Sequence, residues 1–260
     1  MTNPNLSTIR GAVFSLWWRE ILRFVRQRSR VFGALGQPVL FWLLLGGGLG
    51  GMFRLPASVG EMSYLEYLFP GIMLLVVLFT AIFSTISIIE DRNSGFLQSV
   101  LVSPIPRSSI VLGNILGGTT LAMLQALLLL LAVPFLGIQV STLKLLELVV
   151  IFFIISIALT GLGYIIAWSL DSTQGFHSIM NLLLIPMWLL SGSFFPAEGL
   201  PGWLSWIMHI NPLTYGLHLV RGALYPPTDL PVISWIVTIG FSGITFLVSV
   251  LLTRRRPQGD

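Results

Sequence analysis

The sequence has no cysteine, a single lysine (Lys144), and charge on only 9% of its residues. Without cysteine, neither a disulfide framework nor a thiolate metal site can form. The one lysine sits in Ser141-Thr142-Leu143-Lys144, so there is no G-x-x-x-x-G-K-[ST] run to cradle nucleotide phosphates. No H-E-x-x-H or comparable zinc spacing occurs either. The shortage of charge excludes most. A soluble domain carries about a quarter of its residues charged, because its surface faces water. A chain this poor in charge cannot cover itself with a polar shell, and lipid must be its solvent.

What is present is long apolar sequence, with 55% of the residues hydrophobic. Six windows carry no charge: 31–53, 67–89, 108–143, 148–170, 172–197 and 230–253. Each meets the roughly 20 residues that a helix needs to cross a hydrocarbon core about 30 Å thick. Helices and closed barrels alone satisfy their backbone in lipid, and barrel strands show short alternating segments instead of continuous runs. The expectation is an all-α polytopic membrane protein with six transmembrane helices. A seventh uncharged window, 199–220, holds Pro201, Pro212, His209, Asn211 and His218, with Trp203 and Trp206. That density of breakers reads as a re-entrant or interfacial segment before the last span.

Assigning alternate loops to opposite sides gives eleven arginines on one side: Arg10, Arg19, Arg23, Arg26, Arg28, Arg30, Arg92, Arg107, Arg254, Arg255 and Arg256. The other side holds three cations, Arg54, Lys144 and Arg221. The positive-inside rule then places both termini in the cytoplasm of a multi-pass plasma (inner) membrane protein, with Trp203, Trp206 and Trp235 near the outer ends. The first span is expected to stay uncleaved, since it is too long for a signal peptide and lacks a small-residue cleavage site. The organisation is therefore a cytoplasmic amphipathic N-terminal helix (1–30), a six-span domain (31–253) and a cytoplasmic tail (254–260). In the first part Ile9, Val13, Trp17, Ile21 and Phe24 share one helical face, and Arg19, Arg23, Arg26 and Arg30 another. Such a helix is expected in the headgroup layer, its cations toward anionic lipid or a cytoplasmic partner.

The inner loop 90–109 carries Phe96, Leu97, Val100 and Leu101 as an apolar stripe, closed by Pro104 and Pro106. Either the stripe folds against the chain's own bundle, or it docks in a groove on another protein. Gly113 and Gly117 have the spacing that lets membrane helices pack closely. Other chemistry is sparse. Among the six windows there is one histidine, His177, so ion-coupled transport has little to work with. His209 and His218 suit interfacial residues better than metal ligands, and Ser191-Gly192-Ser193 suits a helix end better than a nucleophile loop. An intramembrane hydrolase would need Ser193 with one of those histidines. A passive channel would need a polar pore lining.

Two motifs carry a resemblance. The first runs from Glu90 through Gly95, Leu97, Leu101, Ser103 and Pro104 to Arg107. The second is Leu190-Ser191-Gly192-Ser193-Phe194-Phe195-Pro196, then Leu200-Pro201, Trp203-Leu204 and Asn211-Pro212-Leu213-Thr214-Tyr215, closing at Arg221-Gly222. In both, over nearly its whole length, the chain resembles the membrane subunit (permease) of ABC type-2 exporters. Phe96 and Val100 stand where other members often have Thr and Leu. The resemblance implies two paired permeases, as a homodimer or with a second permease, on separate cytoplasmic ABC ATPase subunits. ATP and magnesium belong to those ATPases, and no cofactor, metal or nucleic acid is expected on this chain. Residues Glu90, Gly95, Phe96, Leu97, Val100, Leu101, Pro104 and Arg107 would couple to the ATPase. The segment 197–225, with Pro196, Pro201, Asn211 and Pro212, would be the extracellular re-entrant pair. Apolar spans suit a hydrophobic or amphipathic cargo such as a drug, a lipid or a lipid-linked compound, with polysaccharide or lipo-oligosaccharide export as the alternative. Phe41, Trp42, Phe79, Phe83, Trp188 and Phe194 are the candidate pathway residues.

Overall fold

The computed structural model describes residues 6–26, 28–49, 62–196, 200–225 and 231–255, and among these it is helical throughout, with no strand. The helices are α1 (Leu6–Arg26), α2 (Arg28–Leu49), α3 (Tyr64–Ser84), α4 (Ile86–Asn93), α5 (Phe96–Val102), α6 (Arg107–Leu130), α7 (Thr142–Ser169), α8 (Thr173–Trp188), α9 (Gly202–Ile210), α10 (Pro212–Leu224) and α11 (Val232–Arg255). A 3₁₀ turn, Val133–Leu136, follows α6, and a π-helical turn, Leu189–Ser193, follows α8.

Among the described residues five stretches are long and apolar enough to cross a membrane: Tyr64–Asn93, Arg107–Leu136, Thr142–Ser169, Thr173–Ser193 and Val232–Arg254. The sixth window, 31–53, is covered by α2 only in part. Its apolar stretch among the described residues is Pro38–Gly48, shorter than the other five, and residues 50–53 of that window lie outside the described residues. The segment 197–225 forms two short helices, α9 and α10, neither of which is long enough to cross.

Helix boundaries follow local chemistry. Ser63, Ser141 and Ser172 each accept a hydrogen bond from the backbone N–H three residues on, at 3.2, 3.4 and 3.2 Å, and so start α3, α7 and α8. The charges that bounded the apolar windows do not bound the helices. Glu66, Glu90, Lys144 and Glu147 are all helical, because the hydrogen-bonded backbone has no reason to stop where the hydrocarbon stops. The expected loop 90–109 is accordingly the end of α4, all of α5 and the start of α6. Tyr64 and Glu66, expected in an outer loop, form the first turn of α3. Between α3 and α4 the helix bends at Ser84 and Thr85, whose hydroxyls donate back to Ala81 and Ile82 carbonyls at 2.7 Å each.

The bundle centres on α3, which is almost wholly buried between α6, α7, α8 and α10. Small residues let the neighbours close in. A Cβ added to Gly118 would collide with Ser84 and Thr160, and one on Gly163 would lie 2.9 Å from Thr85 Oγ1. On α11 a buried ladder of Ser234, Thr238, Ser242, Thr245, Ser249 and Thr253 faces α7. Ser249 donates to the Gly161 carbonyl at 3.2 Å, and Tyr164 and Thr253 share a hydrogen bond of 3.0 Å. Hydroxyls and glycines thus replace the hydrophobic effect, which lipid does not supply between helices.

Gly113 and Gly117 seat α1. Ideal Cβ atoms there would lie 2.6 Å from Leu16 Cβ and 2.7 Å from Glu20 Cβ. Trp17 adds a hydrogen bond to Thr120 Oγ1 at 2.9 Å. Gly117→Val is therefore expected to push α1 off α6 at a cost of about 1–3 kcal/mol. Thermal unfolding of the detergent-solubilised protein measures this; an unchanged midpoint would show that the seat is not under close contact.

Candidate functional site

The polar chemistry concentrates where α1, α4 and α5 meet, at the end of the bundle that carries the arginines. Asp91 on α4 is buried and receives both Arg19 nitrogens, Nη1 at 2.6 Å and Nη2 at 2.5 Å, together with Arg23 Nη2 at 2.5 Å. Arg23 also reaches Glu90 at 3.9 Å. The Arg19 guanidinium lies 3.7 Å above the centre of the Phe96 ring, which ties α1 to α5. Glu20 is buried against Gly117, 3.7 Å from Arg23 and 3.8 Å from Arg19. Burial raises its carboxyl above the ordinary 4.5, against the opposing pull of Arg23.

Two further arginines close helix ends. Arg92 donates to the carbonyls of Trp168 and Leu170, each at 2.8 Å, and to Asp171 at 2.7 Å, capping α7. Arg107 donates to Thr253 and Arg254 carbonyls, both at 3.2 Å, capping α11. The helix between them, α5, is set off by Gly95 in the left-handed region (φ 76°) and by Pro104 and Pro106. Its apolar stripe turns inward. Leu97 is buried, and Val100 and Leu101 pack against the core, so the bundle satisfies much of the stripe. The outward face consists of Gln98, Ser99, Val102 and Pro104, with Val102 72% exposed.

At the opposite end, Asn211 accepts from the Leu213 N–H at 3.0 Å, which starts α10 at Pro212, and donates to the Met187 carbonyl at 2.6 Å. Pro201 begins α9, whose Trp203 and Trp206 are exposed. Pro196 is half-buried just past the π turn.

A family model, ABC-2 type transporter, matches residues 11–225. The chain belongs to the ABC-2 type transporter family. It is 30% identical over 213 residues to the putative transport permease ycf38 of Cyanophora paradoxa, covering 80% of this chain and 72% of that one. It is 29% identical over 255 residues to nodulation protein J of Neorhizobium galegae, covering 93% and 92%. It is 25% identical over 236 residues to the inner membrane transport permease YadH of Escherichia coli K12, covering 86% of each. The protein is a membrane transport permease of this family.

In this ABC-2 family permease the candidate pathway aromatics fall into three groups. Phe79 and Phe83 stack at 5.6 Å on α3, and Phe83 meets Phe176 and His177 of α8 at 6.1 and 5.1 Å. Trp188 donates to the Gly71 carbonyl at 2.7 Å and lies 6.3 Å from Phe194. Trp42 donates to the Leu65 carbonyl at 3.0 Å and lies 5.1 Å from Phe69, while Phe41 is exposed on α2. Sequence reasoning missed Asp91, which outranks its neighbour Glu90 as the anchor of α1. It also missed an exposed polar stripe on α8, formed by Gln174, His177, Ser178 and Asn181. The i, i+3, i+4, i+7 spacing was its signal. The hydroxyl of Ser193 shares a 2.6 Å hydrogen bond with Ser191, and the His209 ring pairs with the Ser205 carbonyl at 2.7 Å. Neither bond prepares a nucleophile. Among the described residues no cluster of metal-ligating side chains occurs.

Removing the carboxylate of Asp91 strands two arginines beside a buried position. Asp91→Asn is expected to cost about 3 kcal/mol and to release α1, read as faster protease cleavage ahead of α2. Equal cleavage rates would dismiss the anchor. Glu20 behaves oppositely. A carboxyl raised on folding destabilises the fold as pH climbs above the unfolded value, and the penalty vanishes below it. Glu20→Gln is thus expected to raise the thermal midpoint at pH 8, with the gain fading as pH falls toward 4.5; a gain that is the same at both pH values would refute the assignment.

Proposed function

We propose that this chain is the membrane subunit of an ATP-binding-cassette exporter. In this reading six spans place both termini in the cytoplasm, two permeases pair, and separate ATPase subunits carrying ATP and magnesium bind beneath them. The observation that carries it is the construction of α5. This short helix has Gly95 at one end and two prolines at the other, an inner face gripped by the bundle, and an outer face left to solvent. Force applied to that outer face has direct routes onward. Through Arg92 it reaches α7, through Arg107 α11, through Phe96 and Asp91 α1, and by chain continuity α4 and α6. An ATPase closing beneath α5 would therefore tilt the bundle as a unit. Glu90, Gly95, Leu97, Val100, Leu101 and Pro104 shape the lever, and Val102 with Gln98 offers the surface that a partner grips.

For the cargo, the aromatic pairs on α3 and α8 support a hydrophobic or amphipathic substrate, a drug, lipid or lipid-linked compound. The alternative, export of a polysaccharide or lipo-oligosaccharide, has one observation in its favour. Polar side chains exposed on a span are costly against lipid, so Gln174, His177, Ser178 and Asn181 face an aqueous path or a second copy, where they offer hydrogen bonds to a hydroxylated headgroup.

Co-purification with the ATPase, together with export from inverted vesicles, tests the reading. Val102→Asp is expected to weaken ATPase association about tenfold, the size of one central interface contact, without disturbing the bundle. Gly95→Pro and Leu97→Asp are expected to abolish coupled export. Full export with all three substitutions, or export with no nucleotide-hydrolysing companion, would end the proposal.

A further inference from the structure

The end of the bundle opposite α5 contains a second junction. There, α8 loses its regular ladder in the π-helical turn Leu189–Ser193, and Gly192 takes φ 86°. A π turn ending in a left-handed residue leaves carbonyls without their usual partners. The Gly192 carbonyl is claimed from two directions. Tyr67 of α3 donates its hydroxyl at 2.9 Å, and Arg221 of α10 donates Nη2 at 3.2 Å. The same guanidinium lies 4.2 Å over the Tyr67 ring and reaches the Tyr67 carbonyl at 3.4 Å. Next to it, Ser193 fits against Gly71 so closely that an added Cβ there would sit 2.7 Å away. The Tyr64 hydroxyl donates to the Phe194 carbonyl at 3.1 Å. Side chains from two helices distant in sequence, α3 and α10, therefore converge on one oxygen.

The arrangement is satisfied unevenly. Arg221 Nε is buried with no hydrogen-bond partner among the described residues, and the contacts of the cation there run through Nη2 and the Tyr67 ring. The bend also sits directly before Phe194, whose ring touches Tyr64 and Trp188. Whatever releases Gly192 releases this aromatic plug.

From this we infer that Arg221, Tyr67 and the Gly192 carbonyl form a latch that holds the end of α8 closed against α3 and α10, with Arg221 as a positioning residue that transport must unfasten. The inference rests on the export reading, in which this end faces outward and opens when nucleotide binds at the other. Gly192 is the pivot because only glycine takes that φ without strain. Tyr67 and Arg221 act together, because each orients the other through the cation–π contact.

The absence of native cysteine gives a direct test. Phe195→Cys would be the sole thiol in the chain, and a membrane-impermeant maleimide reads its exposure in the complete permease–ATPase complex in proteoliposomes. Without nucleotide the latched protein is expected to label slowly. Arg221→Gln and Tyr67→Phe should each raise that rate about tenfold, the scale of one charge-assisted hydrogen bond. The double variant should go no further than the single ones, and Arg221→Lys should restore slow labelling. General loosening of the fold would give additive increases with no rescue by lysine, and that outcome overturns the latch. So do unchanged rates in both single variants. Should Arg221→Gln fail to reach the membrane, Tyr67→Phe, which removes one hydroxyl, decides alone. A failure of the export reading shows separately: wild-type labelling would not respond to ATP, while the nucleotide-free difference between latched and unlatched proteins would persist.

Discussion

Main-chain carbonyls left without intrahelical partners at helix ends and bends need other donors, and in this protein side chains from other helices supply them. Arg92 closes the end of α7 and Arg107 the end of α11. Tyr67 and Arg221 meet at Gly192, Trp188 reaches Gly71, Asn211 reaches Met187, and Tyr225 donates to the Glu66 carbonyl at 2.7 Å. Each bond pairs a main-chain carbonyl with a side chain from elsewhere in the fold, and so ties one element to another. The helices can therefore bend and break near their termini without exposing unpaired groups. That freedom produces the short α5 at one end and the π turn at the other.

Charge at the arginine-rich end follows the same economy. The arginines of α1 were expected to meet anionic lipid, yet Arg19 and Arg23 turn inward onto Asp91. The outward side of α1 carries Phe14, Trp18, Leu22 and Val25 beside Arg10, Ser15 and Arg26, all exposed. The face expected to be buried in headgroups, Val13, Trp17, Ile21 and Phe24, instead lies toward the bundle. A helix with two apolar strips offers two ways to lie, and the glycines of α6 select between them.

The similar proteins are transport permeases and a nodulation protein. The two ends of this chain give that family membership a physical form. One end has a short helix with an uncovered face; the other has a bend tied by Tyr67 and Arg221. Between them the hydroxyl ladder of α11 and the glycines of α6 and α7 let the helices pack closely.

Read alone, the sequence determined the class of solvent, the helical character, the five described apolar stretches and the family, because these depend on local composition and on ordered motifs. It also marked Gly95, Pro104, Asn211 and Pro212, whose backbone roles are local. It did not reveal which of Glu90 and Asp91 anchors α1, that Leu97 faces inward, or that Arg92, Arg107 and Arg221 bind carbonyls remote in the chain. Those outcomes turn on which helix lies alongside which, and on the direction each side chain then takes. A charge or a glycine in the sequence states a need for a partner. Only the folded bundle names it.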